Sequence, residues 1–209
     1  MFFLSRPVVV DGAVYLGSGD GNLYALDAVT GDLRWKFKTG DVVHSSPAFA
    51  EGVLFFYSWD SYFYAVDAAT GKERWRFNNE RSWVITSPAV TDGKAIFATS
   101  DSSLYHVLDA ATGKSLLKEQ ARAYMFSSPT VAGDVVVLGV LSGILEARDL
   151  KSGKLLWEYQ TERSKQNPGC VLTSEKKFNE PLIFTRAGAK TRSLERTASL
   201  GSARFSPRR

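Results

Sequence analysis

Near-copies of one short segment recur along this chain at an almost constant interval. They read ALDAVTGDLRW (Ala25 to Trp35), AVDAATGKERW (Ala65 to Trp75), VLDAATGKSLL (Val107 to Leu117) and ARDLKSGKLLW (Ala147 to Trp157). Their aspartates, Asp27, Asp67, Asp109 and Asp149, stand 40, 42 and 40 residues apart. A fixed period of that length marks an architecture of repeated supersecondary units, each too thin to bury its own faces and dependent on its neighbours.

The residues between the copies say what the unit is. After each Ser-Pro or Arg-Pro comes a short apolar strand (Val8 to Val10, Ala48 to Ala50, Ala89 to Thr91, Thr130 to Ala132) and a turn containing glycine. A second strand follows, then a tight polar turn such as Ser18-Gly19-Asp20-Gly21, then a third strand running into the aspartate. The fourth strand carries Trp35-Lys36-Phe37, Trp75-Arg76-Phe77 or Trp157-Glu158-Tyr159, with bulky residues two apart on one face. Helical periodicity is absent. Four short strands joined by hairpins and repeated about every 41 residues predict an all-β fold, a β-propeller of four-stranded antiparallel blades.

The blades are expected at about 5–40, 45–80, 86–121 and 127–162, with a degenerate fifth at 167–187 opened by Asn167-Pro168. Phe2 to Pro7 aligns with Val42 to Pro47, Trp83 to Pro88 and Tyr124 to Pro129, so the sequence starts inside a repeat. The segment 188–209 is rich in Ser and Arg with few large apolar residues, and disorder is expected there. From Arg186 onward seven basic residues face one acid, so the net charge of +4 leaves the repeats mildly acidic and gives no argument for nucleic-acid binding.

The chemistry of the recurring segment is structural. Glycine after threonine suits a turn at positive φ, and the preceding aspartate can accept hydrogen bonds from the turn amides or the threonine hydroxyl. The tryptophan that follows is expected to pack between adjacent blades, for Trp157 as much as for Trp35 and Trp75.

The pattern Ala-x-Asp-x-x-Thr-Gly-x-x-x-Trp resembles the tryptophan-docking motif of the pyrroloquinoline-quinone (PQQ) repeat propellers. Ala25, Asp27, Thr30, Gly31 and Trp35 match it in the first copy, and Ala65, Asp67, Thr70, Gly71 and Trp75 in the second. The third keeps Asp109, Thr112 and Gly113 but has Val107 for Ala and Leu117 for Trp, which predicts the least firmly docked outer strand. The fourth keeps Ala147, Asp149, Gly153 and Trp157 with Ser152 for Thr. The resemblance covers roughly residues 5 to 160. It implies either a cofactor-free scaffold, as in the outer-membrane protein assembly factor of the BAM complex, or a dehydrogenase using PQQ and calcium. An extracytoplasmic sensing module is a third implication. A periplasmic or cell-envelope location also follows from the resemblance, although Met1 to Val10 lacks the pattern of a secretory signal.

The residues favour the scaffold. Many quinoprotein alcohol dehydrogenases carry a vicinal cysteine pair, whereas Cys170 is the single cysteine and is expected to be a small apolar residue. No catalytic, cofactor-binding or metal residue is assigned. Gly17-Ser18-Gly19-Asp20-Gly21 lies between strands, where a hairpin explains it better than a phosphate cradle. His44 and His106 have no spaced ligand set and read as core or channel lining. No run reaches the length of a membrane helix. The candidate contact residues are those that break the repeat: Trp59 and Tyr62, expected to protrude at a hairpin, and Arg81, Trp83, Arg122 and Tyr124 on the connecting segments. Four blades would leave two apolar blade faces unpaired, so a protein partner or self-association, such as two half-rings, is expected.

Overall fold

The computed structural model describes residues 5–162. They lie in one compact unit, Met1–Phe178, while a second unit, Asn179–Arg209, falls outside them. The expected fifth repeat at 167–187, Cys170 and the basic segment 188–209 also lie outside the described residues.

All sixteen named elements are strands. The first sheet holds β1 (Val8–Val10), β2 (Ala13–Gly17), β3 (Asn22–Asp27) and β4 (Leu33–Lys38), and the second β5 (Ala48–Ala50), β6 (Val53–Tyr57), β7 (Tyr62–Asp67) and β8 (Glu73–Asn78). The third holds β9 (Ala89–Thr91), β10 (Lys94–Ala98), β11 (Leu104–Asp109) and β12 (Ser115–Gln120). The fourth holds β13 (Thr130–Ala132), β14 (Val135–Val140), β15 (Ile144–Asp149) and β16 (Leu155–Gln160). Each sheet is an antiparallel meander in chain order, the blade of a partial β-propeller.

The core sits between the sheets. One buried cluster joins Tyr15, Leu23 and Ala25 of the first blade to Leu54, Phe56 and Tyr64 of the second. Another joins Phe55, Phe63 and Ala65 to Ala95, Phe97 and Leu108, and the last joins Ile96, Tyr105 and Val107 to Val136, Leu138 and Leu150. Alternating strand residues supply the two faces of each sheet, so every interior sheet contributes to two clusters.

The corners between third and fourth strands are built alike. Each begins at a bulge, between Ala25/Leu26, Ala65/Val66, Val107/Leu108 and Ala147/Arg148. The Asp67 carboxylate then accepts from the Thr70 amide and hydroxyl, Asp109 from the same groups of Thr112, and Asp149 from those of Ser152. In the first corner Asp27 accepts from the Val29 and Thr30 amides, while the Thr30 hydroxyl turns to Asp32.

These corners are also seats. The Trp35 indole N–H donates to the Ala68 carbonyl at 3.0 Å, and its ring lies so close to Gly71 that a Cβ there would stand 2.7 Å from Cδ2. Trp75 repeats this one blade on, donating to the Ala110 carbonyl at 3.0 Å and lying 2.6 Å from where a Gly113 Cβ would be. Each glycine therefore has two duties: positive φ, and room for the preceding blade's indole. At the last interface Leu117 packs into the cluster, and the Tyr105 hydroxyl donates to the Gly153 carbonyl.

Trp157 departs from the expectation. It is 48% exposed, because no following sheet covers it among the described residues. Tyr62 likewise does not protrude from a hairpin: it is the first residue of β7, packed against the first interface with the Arg76 guanidinium over its ring.

The inner edges are tied by serines. The Arg6 amide donates to Ser46 Oγ at 2.8 Å, the Ser46 amide to Ser87 Oγ at 3.0 Å, and the Ser87 amide to Ser128 Oγ at 2.9 Å. One residue earlier, Ser45, Thr86 and Ser127 bond the second strand of their own blade.

Gly71→Ala and Gly52→Ala separate the two glycine duties. Both sites have positive φ, but nothing lies within 4 Å of a Cβ at Gly52. Gly52→Ala should cost about 1 to 2 kcal/mol from the left-handed backbone alone. Gly71→Ala should cost a further 1 to 3, roughly, through the displaced indole. Equal losses in urea denaturation would contradict the seating of Trp35.

Candidate functional site

The strand connections fix two edges of each blade. Corners and first hairpins share one, where the Ala28, Ala68, Ala110 and Leu150 amides donate to carbonyls of the first hairpins. The second hairpins and the segments leading to the next blade share the other, where the Val43 amide donates to the Ser18 carbonyl and the Trp59 amide to the Val42 carbonyl.

At the corner edge two arginines stand seven residues after the aspartates. Arg34 and Arg74 pair with Asp27 and Asp67, each at 2.7 Å. The Arg74 guanidinium, then the Thr70 hydroxyl and amide, hold the Asp67 carboxyl at about 2. Arg34 in the same way holds Asp27 below the ordinary range, and the Thr112 and Ser152 hydroxyls lower Asp109 and Asp149. These carboxylates are bound to their own turns. Sequence reasoning missed the arginines, although the triplets Leu33-Arg34-Trp35 and Glu73-Arg74-Trp75 carried the signal.

The opposite edge gathers the aromatics. Trp59 is half-buried and stacks on Trp83, with ring centroids 5.7 Å apart and planes 8° from parallel. His44 also packs against Trp59, edge-on with ring centroids 4.8 Å apart. Trp83 is 56% exposed, and Ile85, Tyr124 and Phe126 on the equivalent segments are exposed too. The backbone beneath them is fixed: Asp101 accepts from the Ser82 hydroxyl and the Trp83 amide, and the Tyr124 carbonyl accepts from the Leu141 amide. Arg81 is exposed at φ 68°, beside Glu80 at 52°. Arg122 pairs with Glu158 at 2.7 Å, and its amide donates to Glu146. The structure thus joins Trp59 to Trp83, places Tyr62 apart from them, and adds Ile85 and Phe126.

Two buried polar groups occupy one position in successive blades. Tyr24 and Tyr64 donate to the hairpin carboxylates Asp20 and Asp60; their counterparts are His106 and Glu146. Glu146 is fully buried and bridged to Arg148 at 2.7 Å. His106 lies flat on Phe97 at 4.8 Å, edge-on to Phe77, and neither ring nitrogen has a hydrogen-bond partner.

Among the described residues, the corner aspartates and Glu146 are not gathered into a cluster of oxygens around one point. Calcium takes six to eight clustered oxygens, whereas the corner aspartates serve their turns and Glu146 serves Arg148 and the Arg122 amide. Among the described residues no three His, Cys, Asp or Glu side chains come together as a metal site. Nor is any helix among them long and apolar enough to cross a membrane.

Four-stranded radial sheets docked by indoles on glycine corners define a tryptophan-docked propeller. The sequence profile described as outer membrane protein assembly factor BamB matches residues 3–82 and 60–194, and the chain belongs to that family of PQQ-like repeat propellers. Among solved structures, BamB from Moraxella catarrhalis is 19% identical, with a TM-score of 0.64 over 74% of this chain and 49% of its own. A quinohemoprotein alcohol dehydrogenase from Comamonas testosteroni is 22% identical, with a TM-score of 0.67 over 79% of this chain and 35% of its own. The computationally designed Ika8 protein is 20% identical, with a TM-score of 0.66 over 73% of this chain and 48% of its own. These likenesses are of fold, and the chain spans half or less of each structure's length. Among curated proteins the sequence finds no match.

Burial pushes the His106 imidazole down from 6.5 to about 4, with Lys118 adding in the same direction and Glu80 opposing. The folded state thus binds this proton less readily than the unfolded chain. Stability should be complete above about pH 6.5 and fall between there and about pH 4, by at most about 3 kcal/mol. His106→Phe should flatten that part of the profile in denaturant titrations at stepped pH; an unchanged slope would place the loss elsewhere.

Proposed function

We propose that this chain is a non-catalytic scaffold for protein–protein contact, working in the cell envelope as its BamB-like family membership suggests. The observation that carries the reading is the aromatic row on the connecting segments. Trp83, Ile85, Tyr124 and Phe126 stand in solvent on segments whose backbone is pinned, and Trp83 is braced from behind by Trp59. Rigid amphipathic rings on a fixed backbone bind protein surfaces at low entropic cost, and tryptophan, tyrosine and arginine dominate contact energies. Arg81 and Arg122 flank the row and would supply its polar rim.

The fold shared with the quinohemoprotein dehydrogenase raises the alternative of a fragment using PQQ and calcium. The engagement of the corner carboxylates favours a cofactor-free chain instead. Ligand sensing has as its candidate a cleft of about 210 Å³ lined by Phe55, Arg74 and Asp109. That is below the roughly 300 Å³ at which ordinary ligand pockets begin.

A photo-crosslinking residue in place of Trp83 should yield a discrete adduct with an envelope protein. The same residue at Val29, on the corner edge, should yield none. Trp83→Ser with Tyr124→Ser should weaken capture at least about tenfold while stability falls by no more than about 1.5 kcal/mol, the loss of the Trp59 stack. Titration with PQQ and calcium should show no saturable binding and no dye-linked alcohol oxidation; turnover would end the scaffold reading.

A further inference from the structure

Two lengthened loops meet beneath Trp83. The connection from β8 to β9 is one residue longer than those from β4 to β5 and from β12 to β13, and the hairpin between β10 and β11 is one residue longer than those between β2 and β3 and between β6 and β7. Together they account for the wider spacing of Asp67 and Asp109, and both fall on the edge that carries the aromatic row.

The longer connection is strained. The shorter ones pass Gly40-Asp41 and Arg122-Ala123 with no residue at positive φ, whereas this one passes Glu80-Arg81-Ser82 with Glu80 at 52° and Arg81 at 68°. Neither is glycine, and a left-handed residue with a side chain persists only where its surroundings hold it. The Asn78 side-chain oxygen accepts from the Glu80 amide at 2.9 Å, the Asn79 carbonyl accepts from the Ser82 amide at 2.9 Å, and Lys118 bridges Glu80 at 3.1 Å.

The longer hairpin closes on this turn from the next blade. Asp101 Oδ1 accepts from both the Ser82 hydroxyl and the Trp83 amide, the latter at 3.0 Å. The Ser100 amide and hydroxyl donate to the Trp83 carbonyl at 2.8 and 2.9 Å. The Val42 and Tyr124 carbonyls, at the same place in the shorter connections, accept the Trp59 and Leu141 amides, and the Val42 amide turns to its own neighbour Asp41.

We propose that Asp101 is a latch, a positioning residue that holds the strained Glu80-Arg81 turn in the state that keeps the Trp83 indole stacked on Trp59. Without it the turn relaxes and the stack parts. The latch stands on geometry alone; that the latched state is the one a partner engages rests on the scaffold reading above.

Trp59 and Trp83 are the one pair of tryptophans in ring contact among the described residues, so the far-ultraviolet exciton couplet of the full chain, taken as the difference from Trp59→Phe, reports the stack. Asp101→Ala should lose most of that couplet. Asp101→Asn should keep it, because both hydrogen bonds land on one oxygen and an amide carbonyl can accept both. Adding Arg81→Gly to Asp101→Ala should bring the couplet back, since glycine removes strain that the latch opposes and leaves the Lys118 bridge to Glu80 in place. Asp101 is exposed, so the sheet signal should be that of the parent throughout. A couplet that survives Asp101→Ala, or one that Asp101→Asn loses or Arg81→Gly fails to restore, would overturn the latch.

A photo-crosslinking residue in place of Ile85 reads the consequence for binding separately. Its adduct should weaken at least about tenfold in Asp101→Ala and persist in Asp101→Asn. An adduct unmoved by Asp101→Ala would overturn the link from latch to partner. No adduct in the parent would end the scaffold reading, while the couplet would still decide the latch.

Discussion

An indole lying on a bare glycine one blade away is the contact on which the rest of this structure depends. A four-stranded sheet has two apolar faces and no interior, so its stability is borrowed from what stacks on it. The Trp35 and Trp75 rings fill that role at the rim, where the glycine lets the ring approach and the neighbouring carbonyl takes its N–H. The Ala68 carbonyl accepts from the Tyr15 hydroxyl as well as from the Trp35 indole, and the Ala110 carbonyl from the Trp75 indole, so hydrogen bonds from the preceding blade fix the angle at which blades meet as well as their spacing.

Around that contact the blade divides its labour. The inner edge is held by serines reaching from blade to blade, and the corner edge by aspartates bound to their own turns. The remaining edge, where the chain passes to the next blade, is free of these repeated duties. There the sequence departs from its pattern, and Trp59, Trp83 and Tyr124 collect. A scaffold whose repeated residues are spent on stacking can hold contact residues only where the repeat lapses.

Much of this was legible in the sequence, and the misses have physical causes. Asp27, Thr30, Gly31 and Trp35 announce a corner because each answers a local demand of backbone or turn, and the period of the aspartates then gives blades and strands. Tyr62 was misread because a hairpin tip and the first residue of a strand differ by one position. The pairing of Trp59 with Trp83 joins different blades and leaves no local trace. Arg34 and Arg74 look like ordinary exposed charges until the aspartates seven residues earlier are seen beside them. Glu146 at a core position was visible as an anomaly, with Arg148 two residues on and therefore on the same face. Trp157 shows the limit of motif reading: the same residue in the same frame is a half-buried wedge at Trp35 and Trp75 and an exposed ring where no described sheet lies against it.

A double-mutant cycle on Trp75 and Gly113 tests the seating of indole on corner most directly. Trp75→Ala alone should cost about 3 to 5 kcal/mol. Once the indole is gone, Gly113→Ala should lose its steric part and retain only the backbone strain, so the two changes should fall short of additivity by at least about 1 kcal/mol. Additive losses would mean that ring and glycine do not bear on each other, and the account of how these blades are held together would be wrong.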